Sequence, residues 1–554
     1  MHPYFQASSY RAKASLMARA GYFLKSTALG FLCIVGAPLT LSASQAVAQT
    51  PSGTLVVAKY ISDLITLDPA EVYEATGGEV VNNVYERLIT FDPSDFTKPI
   101  GGAAESWTIS DDGLTFTFKI RDGLYFSSGR SLTAEDAAFS LQRVLRLGKT
   151  PVFYLTQFGW SKDNIDHHVS QLDEKTLVLK LDKPYAPDLF LKVLSSTVSS
   201  VVDKQEVLKH QSDGDLGYGW LKKNTAGSGP YQLAGWTPNE AVVLAANPHF
   251  KRESVPLKNV VLRHIPEAAT QRLLLEKGDV DIARNLSADQ IQALSTNADI
   301  TIISTPKTDV NYIALNQGVE PLGDAKVQQA LRWAIDYDGI TKNILKGQAT
   351  VHQSFWGSGS GGSLDETPYT LDIAKAKALL EAAGYKDGFK LKLDVSSRSP
   401  DREVSQSLQS TFGLAGVTVE LNTLDRAQLQ TRFRGRQHDA VFFGWSPDYL
   451  DVHASASFFT INDDDSENSI NKNAAWRDHW LVPELTKKTL SGLTEANAAK
   501  RSTIYLDLQK EVRDNSPFIV IYQQLGQVPV RANVKGFVPG PSWDTPAYWR
   551  TSKS

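Results

Sequence analysis

The stretch AESWTISDDGLTFTFKIRDGLYFSSGRSLTAEDAAFSLQRVL, Ala104 to Leu145, changes its hydrophobic period partway along. Up to Ile120 the period is two. Leu114, Phe116, Phe118 and Ile120 fall on one side, and Thr115, Thr117 and Lys119 on the other, which is the alternation of a strand with one wet face. With RDG at Arg121 to Gly123 as its turn, this segment reads as a β-hairpin. Past Thr133 the period becomes helical. Thr133 is placed to cap, Asp136 stands three residues on, and Ala137, Ala138, Leu141, Val144 and Leu145 make one stripe.

The same two patterns recur outward from this stretch. TLVVAKY (Thr54 to Tyr60) reads as a buried first strand, and KTLVLKLDKP alternates through Leu177, Leu179 and Leu181. The second half is richer in helix: DAKVQQALRWAIDYDGI follows an Asp324 cap, and LDIAKAKALLEAAGY stops at Gly384, a natural C′ glycine. A late helix from about Ala496 to Arg513 is followed by Pro517 and the strand FIVIY. The mixture predicts an α/β class with antiparallel additions. At 554 residues the chain exceeds what one core supports, about 250–300 residues, so at least two lobes are expected.

The first 48 residues belong to another kind of segment. Arg11, Lys13, Arg19 and Lys25 precede the apolar run ALGFLCIVGA (Ala28 to Ala37), and small residues follow at Ala46 and Ala48. That order predicts a secretory signal with the mature start near Gln49, and the run is shorter than the ~20 residues of a membrane span. Lipidation at Cys33 is not expected, because Phe31 and Leu32 replace the small residues such sites need. Removal of the segment takes four of 57 basic residues and none of 61 acidic ones, moving the net charge from −4 to −8. Such a chain is poorly suited to nucleic acid or an anionic membrane surface. The segment also holds the only cysteine, Cys33, and both methionines, so the remainder offers no disulfide, thiol nucleophile or thiolate metal site.

Catalytic signatures are mostly refused. GSGSGG (Gly357 to Gly362) satisfies G-x-G-x-x-G, but SLDETPYT after it does not open a helix. GKT at Gly148 to Thr150 lacks the phosphate loop's earlier glycine, Arg143 standing in its place, and no serine lies in G-x-S-x-G. The acidic tract NDDDSEN (Asn462 to Asn468) lacks the central glycine of an EF-hand, and the pair His167 and His168 reads as surface. No catalytic residue, metal site or cofactor is assigned.

Collinear blocks then point to a family. The opening stretch resembles the signature region of the large periplasmic solute-binding proteins of peptide-type ABC importers, the family 5 oligopeptide/dipeptide group. GSGPYQL (Gly227 to Leu233), NPHF (Asn247 to Phe250), LEKGDVDIA (Leu275 to Ala283), VQQALRWAID (Val327 to Asp336) and KAKALLEAAGY (Lys375 to Tyr385) follow in family order. The resemblance implies a two-lobed periplasmic binding protein fold, type II and cluster C-like, with an extra α+β domain inserted in lobe one. Lobe one maps to 50–93, 227–308 and 516–554, the inserted domain to 94–226 and lobe two to 309–515. It implies a non-enzymatic protein, monomeric, that captures short peptides between closing lobes and delivers them to an inner-membrane permease.

Site residues follow from the same resemblance. In FFGWSPDYLDVHASASFF (Phe442 to Phe459), GWSPDY matches the family's W-x-x-D element, so Asp448 is expected to pair with a ligand α-ammonium beside Trp445 and Tyr449. A cation removed from water needs a fixed opposite charge, and aromatic faces add cation–π attraction. The other reading is that Asp448 only turns the loop after Pro447. Arg398 falls near the arginine that takes the ligand carboxylate, for which a planar guanidinium is suited, with Arg402 as rival. Tyr73 and Thr76 lie in a loop bordering the cleft. Trp356 and Phe355 either line the cleft or pack against lobe two. The same fold carries opines, oligosaccharides, haem or chelated nickel, the last kept open by His453 near Asp448. A secreted hydrolase using Asp448 or Asp451, and a structural envelope protein, are the readings from other classes.

Overall fold

The computed structural model describes residues 50–359 and 361–554; the expected secretion segment, Cys33 included, lies outside the described residues. An 11-stranded sheet runs through the molecule. Its middle consists of two long antiparallel strands, Ile300–Leu315 and Phe518–Arg531. They pair with each other at both ends, Ile300 to Pro306 against Arg531 to Leu525 and Val310 to Ala314 against Gln523 to Phe518, with a register shift between. The shared strands thus join two lobes.

On the first lobe's side, Ile282–Ala283, Thr54–Lys59 and Asn259–His264 lie parallel, and Ala241–Ala246 and Tyr231–Thr237 extend the sheet antiparallel. On the second lobe's side, Ala440–Trp445, Phe389–Ser396 and Val417–Leu424 form a parallel set. Parallel strands need both faces covered, and the burial follows: on Ala440–Trp445, Ala440 and Phe442 enter one core cluster and Val441 the opposite one.

A separate four-stranded antiparallel sheet holds Ala104–Ile109, Thr115–Ile120, Thr176–Lys180 and Val169–Asp173. Phe116, Phe118 and Ile120 are fully buried, as their alternation predicts. The expected hairpin across RDG is not formed, a correction to the sequence reading. Thr115–Ile120 pairs instead with the strand before it and with Thr176–Lys180. Gly123 does turn the chain, at φ 72°, but beyond it the Leu124 carbonyl accepts from Leu132 N–H and Phe126 N–H donates to the Arg130 carbonyl, a local loop. Alternation specifies a face and not a partner.

Helix ends follow their local chemistry. Thr133 and Asp136 form the capping box of helix Ala134–Leu147, and Asp324 accepts from Lys326 and Val327 N–H at the start of Ala325–Trp333. Helix Ile373–Ala382 ends in a Schellman motif, with Gly384 at φ 90° and Tyr385 N–H donating to the Leu380 carbonyl. The late helix spans Ala498–Asn515 with Asn497 as its cap. His168, expected at the surface with His167, is buried, its Nε2 2.9 Å from Asp182 Oδ1.

Candidate functional site

In open α/β sheets the crevice beyond the carboxyl ends of parallel strands receives ligand. Here two such edges face each other. From lobe one, Thr54–Lys59 runs on to Tyr60 and Ile282–Ala283 to Arg284 and Asn285; from lobe two, the parallel strands run on to Arg398, Arg426 and Asp448. Lobe one's edge borders a cavity of about 360 Å³, lined by Thr76, Arg284, Lys307 and Trp543, and one of about 570 Å³ has both lobes in its lining, through Asp289, Lys346 and the Ser399–Pro400 loop. Asn285 lines both.

Asp448 bridges the lobes. Tyr73 Oη donates to its Oδ1 at 2.5 Å, and Tyr154 Oη donates to its main-chain carbonyl at 2.6 Å. Burial raises the Asp448 carboxyl to about 6, against the Tyr73 hydrogen bond, which favours the ionised form. The same burial, with the Asp448 charge beside it, raises the Tyr73 phenol. Tyr73 is 40 % exposed and meets Phe153 and Trp543 edge-on, each at 6.1 Å between centroids. The carboxylate is therefore walled by aromatic rings and has no cationic side chain paired with it among the described residues.

The other expected residues divide. Tyr449 is buried, its hydroxyl donating to Gln157 Oε1 at 3.2 Å, and it lines a small cavity together with Asp448. Trp445 is half-buried and spent on scaffolding: its ring stacks on Phe458 at 3.7 Å and its Nε1 donates to Ser455 Oγ at 3.0 Å. Thr76 borders the cavity with its backbone N–H and hydroxyl donating to Asp63. Arg398 is exposed at the cleft edge without an ion pair among the described residues, whereas Arg402 pairs with Glu403 at 2.7 Å.

Trp356 and Phe355 do not line the cleft, which corrects Trp356 as a ligand residue. Both are buried in the lobe-two core, and the Trp356 indole N–H donates to the Gly361 carbonyl at 2.8 Å. An apolar surface of that size is stabilised most by full burial.

Asp451 is likewise corrected as an acid/base candidate. It is fully buried, takes both guanidinium nitrogens of Arg501 at 2.6 and 3.0 Å and Lys192 at 3.4 Å, and caps His453 N–H. The opposite charges hold its carboxyl well below the usual range despite burial. His453 is buried with Nδ1 2.7 Å from Tyr505 Oη, and burial pushes it down to about 4. It faces core rather than cleft, so it offers nothing to a chelate near Asp448.

Sequence reading missed Tyr154, Arg284, Lys307, Trp543 and Arg426. None sits in a motif: Arg284 and Arg426 follow strand ends, Lys307 lies within the long strand Ile300–Leu315, Tyr154 on the short helix Phe153–Thr156 and Trp543 on the returning C-terminal segment.

The family model described as "Bacterial extracellular solute-binding proteins, family 5 Middle" matches residues 98–467. The probable D,D-dipeptide-binding periplasmic protein DdpA of Escherichia coli is 29 % identical over 505 residues, covering 89 % of this chain and 93 % of that protein. Heme-binding protein A of Haemophilus influenzae is 27 % identical over 467 residues, covering 79 % and 81 %. The solved periplasmic binding protein DppA of Helicobacter pylori, in complex with the peptide STSA, superposes with a TM-score of 0.73 at 23 % identity over 90 % of this chain and 98 % of that one. The likeness extends through the two-lobed architecture.

Proposed function

The chain belongs to the bacterial extracellular solute-binding proteins, family 5, and from that premise we propose that it is the periplasmic substrate-binding component of an ABC importer, capturing short peptides between two closing lobes and delivering them to a membrane permease. The observation that carries this reading is the Asp448 carboxylate. It stands at the cleft, bridged to the opposite lobe through Tyr73, beside aromatic rings and without a cationic partner among the described residues. Such a site lacks one positive charge, and a peptide's α-ammonium supplies it.

In this reading Asp448 binds the ammonium, and Tyr73 and Tyr449 border it, with Trp445 holding the loop. The ligand's carboxylate lies toward Arg398. Lobe one comprises 50–93, 227–308 and 516–554, the inserted domain 94–226, and lobe two 309–515. The relative named for a D,D-dipeptide and the neighbour solved with a peptide support peptide cargo. A relative named for haem supplies the competing cargo.

Native mass spectrometry of the protein gently purified from its own periplasm tests the proposal. Added masses matching short peptides are expected. Masses matching haem, an opine, a sugar or a metal chelate would keep the transport role and withdraw the ammonium role of Asp448.

A further inference from the structure

Two arginines follow the carboxyl ends of neighbouring lobe-two strands. Ser396 is in register with Leu424, and Ser397 N–H donates to the Leu424 carbonyl at 2.8 Å. Arg398 and Arg426 therefore each stand two residues past a paired position, one on a loop and one opening helix Arg426–Arg434. Adjacent strands are only ~4.8 Å apart. On the other side, Leu393 is in register with Ala440, so the pairing carried forward brings Phe443 level with Ser396.

Arg426 reaches across that middle strand. Its guanidinium lies 4.4 Å from the centroid of the Phe443 ring, although strand Phe389–Ser396 lies between Val417–Leu424, which leads to Arg426, and the strand that carries Phe443. The charge is thus held over the same edge that leads through Trp445 to Asp448. Neither Arg398 nor Arg426 has an ion pair among the described residues. Their acidic neighbour Asp401 is shifted toward its protonated form by burial, against the pull of both arginines.

Between the two, Arg426 is better prepared for a ligand. Arg398 is exposed on a loop and held only through its main chain, its N–H donating to Ser396 Oγ at 3.2 Å and its carbonyl accepting from Arg402 N–H at 3.1 Å, with no side-chain hydrogen bond among the described residues. Arg426 has its orientation limited by the ring beneath it, and a guanidinium held in advance loses less rotamer entropy when a carboxylate arrives. We propose that Arg426, seated on Phe443, is the principal receiver of the ligand's carboxylate, with Arg398 as its looser companion. This assignment rests on the peptide reading above.

The test is a cycle of protein and ligand changes, measured by calorimetry with Ala-Ala and its C-terminal amide. Amidation is expected to weaken binding to the unaltered protein at least tenfold. In Arg426→Gln that penalty should shrink below threefold, in Arg398→Gln most of it should remain, and Arg426→Lys should fall between because it keeps charge without the planar fork. A penalty that persists in Arg426→Gln and vanishes in Arg398→Gln overturns the proposal while peptide binding stands. So does an unaltered protein that binds both forms equally. Failure of the unaltered protein to bind either form ends the peptide reading and this proposal with it. Arg426 is exposed, so its variants are expected to fold, which the retained thermal transition checks.

Discussion

Tyr73 Oη and Asp448 Oδ1 are 2.5 Å apart although 375 residues separate them in the chain. The hydrogen bond joins the lobe-one loop to the lobe-two W-x-x-D element, and a ligand ammonium arriving at Asp448 meets a carboxylate that already has one donor. The Tyr73 hydroxyl supplies no charge, so the site keeps its demand for a cation.

Asp448→Asn is therefore expected to remove affinity and leave the fold intact. Loss of a partly buried pair costs roughly 3–5 kcal/mol, about two to three and a half decades in dissociation constant. Calorimetry with a dipeptide measures it; a change below about threefold removes Asp448 as the anchor.

Affinity should also depend on pH through this carboxyl. With the free protein's Asp448 at about 6, binding of an ammonium weakens as pH falls below that value, by up to about tenfold per unit. It weakens again above roughly 8 as the peptide amine loses its proton. Stability moves in the opposite direction. Between the unfolded carboxyl's ~3.9 and about 6 the folded chain holds a proton that the unfolded chain has released, so Asp448 lowers stability as pH rises through that window. Asp448→Asn should abolish both the acid limb of binding and this slope. A flat affinity from pH 5 to 7 would contradict the assignment.

Asp451→Asn should behave as the converse variant. It leaves Arg501 and Lys192 buried against a neutral group, which costs roughly 3–5 kcal/mol of stability, read from urea unfolding at pH 7. Because the Asp451 carboxyl is lowered, its contribution is full above the unfolded value of ~3.9 and is lost as pH falls toward the folded one. A variant of undiminished stability would mean that the pair does not hold the loop after Asp448.

Gly78→Ala probes the aromatic wall. An added Cβ would collide with the Trp543 ring, which borders the cavity and meets Tyr73 edge-on. Overpacking of this kind costs ~1–3 kcal/mol. The variant should shift the tryptophan emission and weaken dipeptide binding. Unchanged emission and affinity would show that Trp543 does not shape the site.

Asp448 could be named in the sequence because it lies inside a contiguous motif, and the capping residues Thr133, Asp136 and Asp324 because a cap acts within one turn. Phe116, Phe118 and Ile120 were legible as a face for the same reason. The pairing of their strand was not, since a strand's partner is chosen by whatever apolar surface closes over it. Trp356 and Asp451 were misplaced for one further reason: local composition does not distinguish an aromatic or carboxylate turned to the cleft from one turned to the core. Asp451 stands three residues from Asp448, yet Arg501 and Lys192 claim it.

The sequence by itself determined the α/β class, the helix ends and the family, all carried by short-range periodicity, caps and collinear blocks, and it marked Asp448 as the candidate anchor. Only the tertiary structure decided that Tyr73 meets Asp448, that Trp356 is core, and that Arg426, level with Arg398 past neighbouring strands, lies over Phe443. Those relationships depend on strand register and on two long shared strands bringing distant segments to one edge, and neither is encoded in any local stretch of side chains.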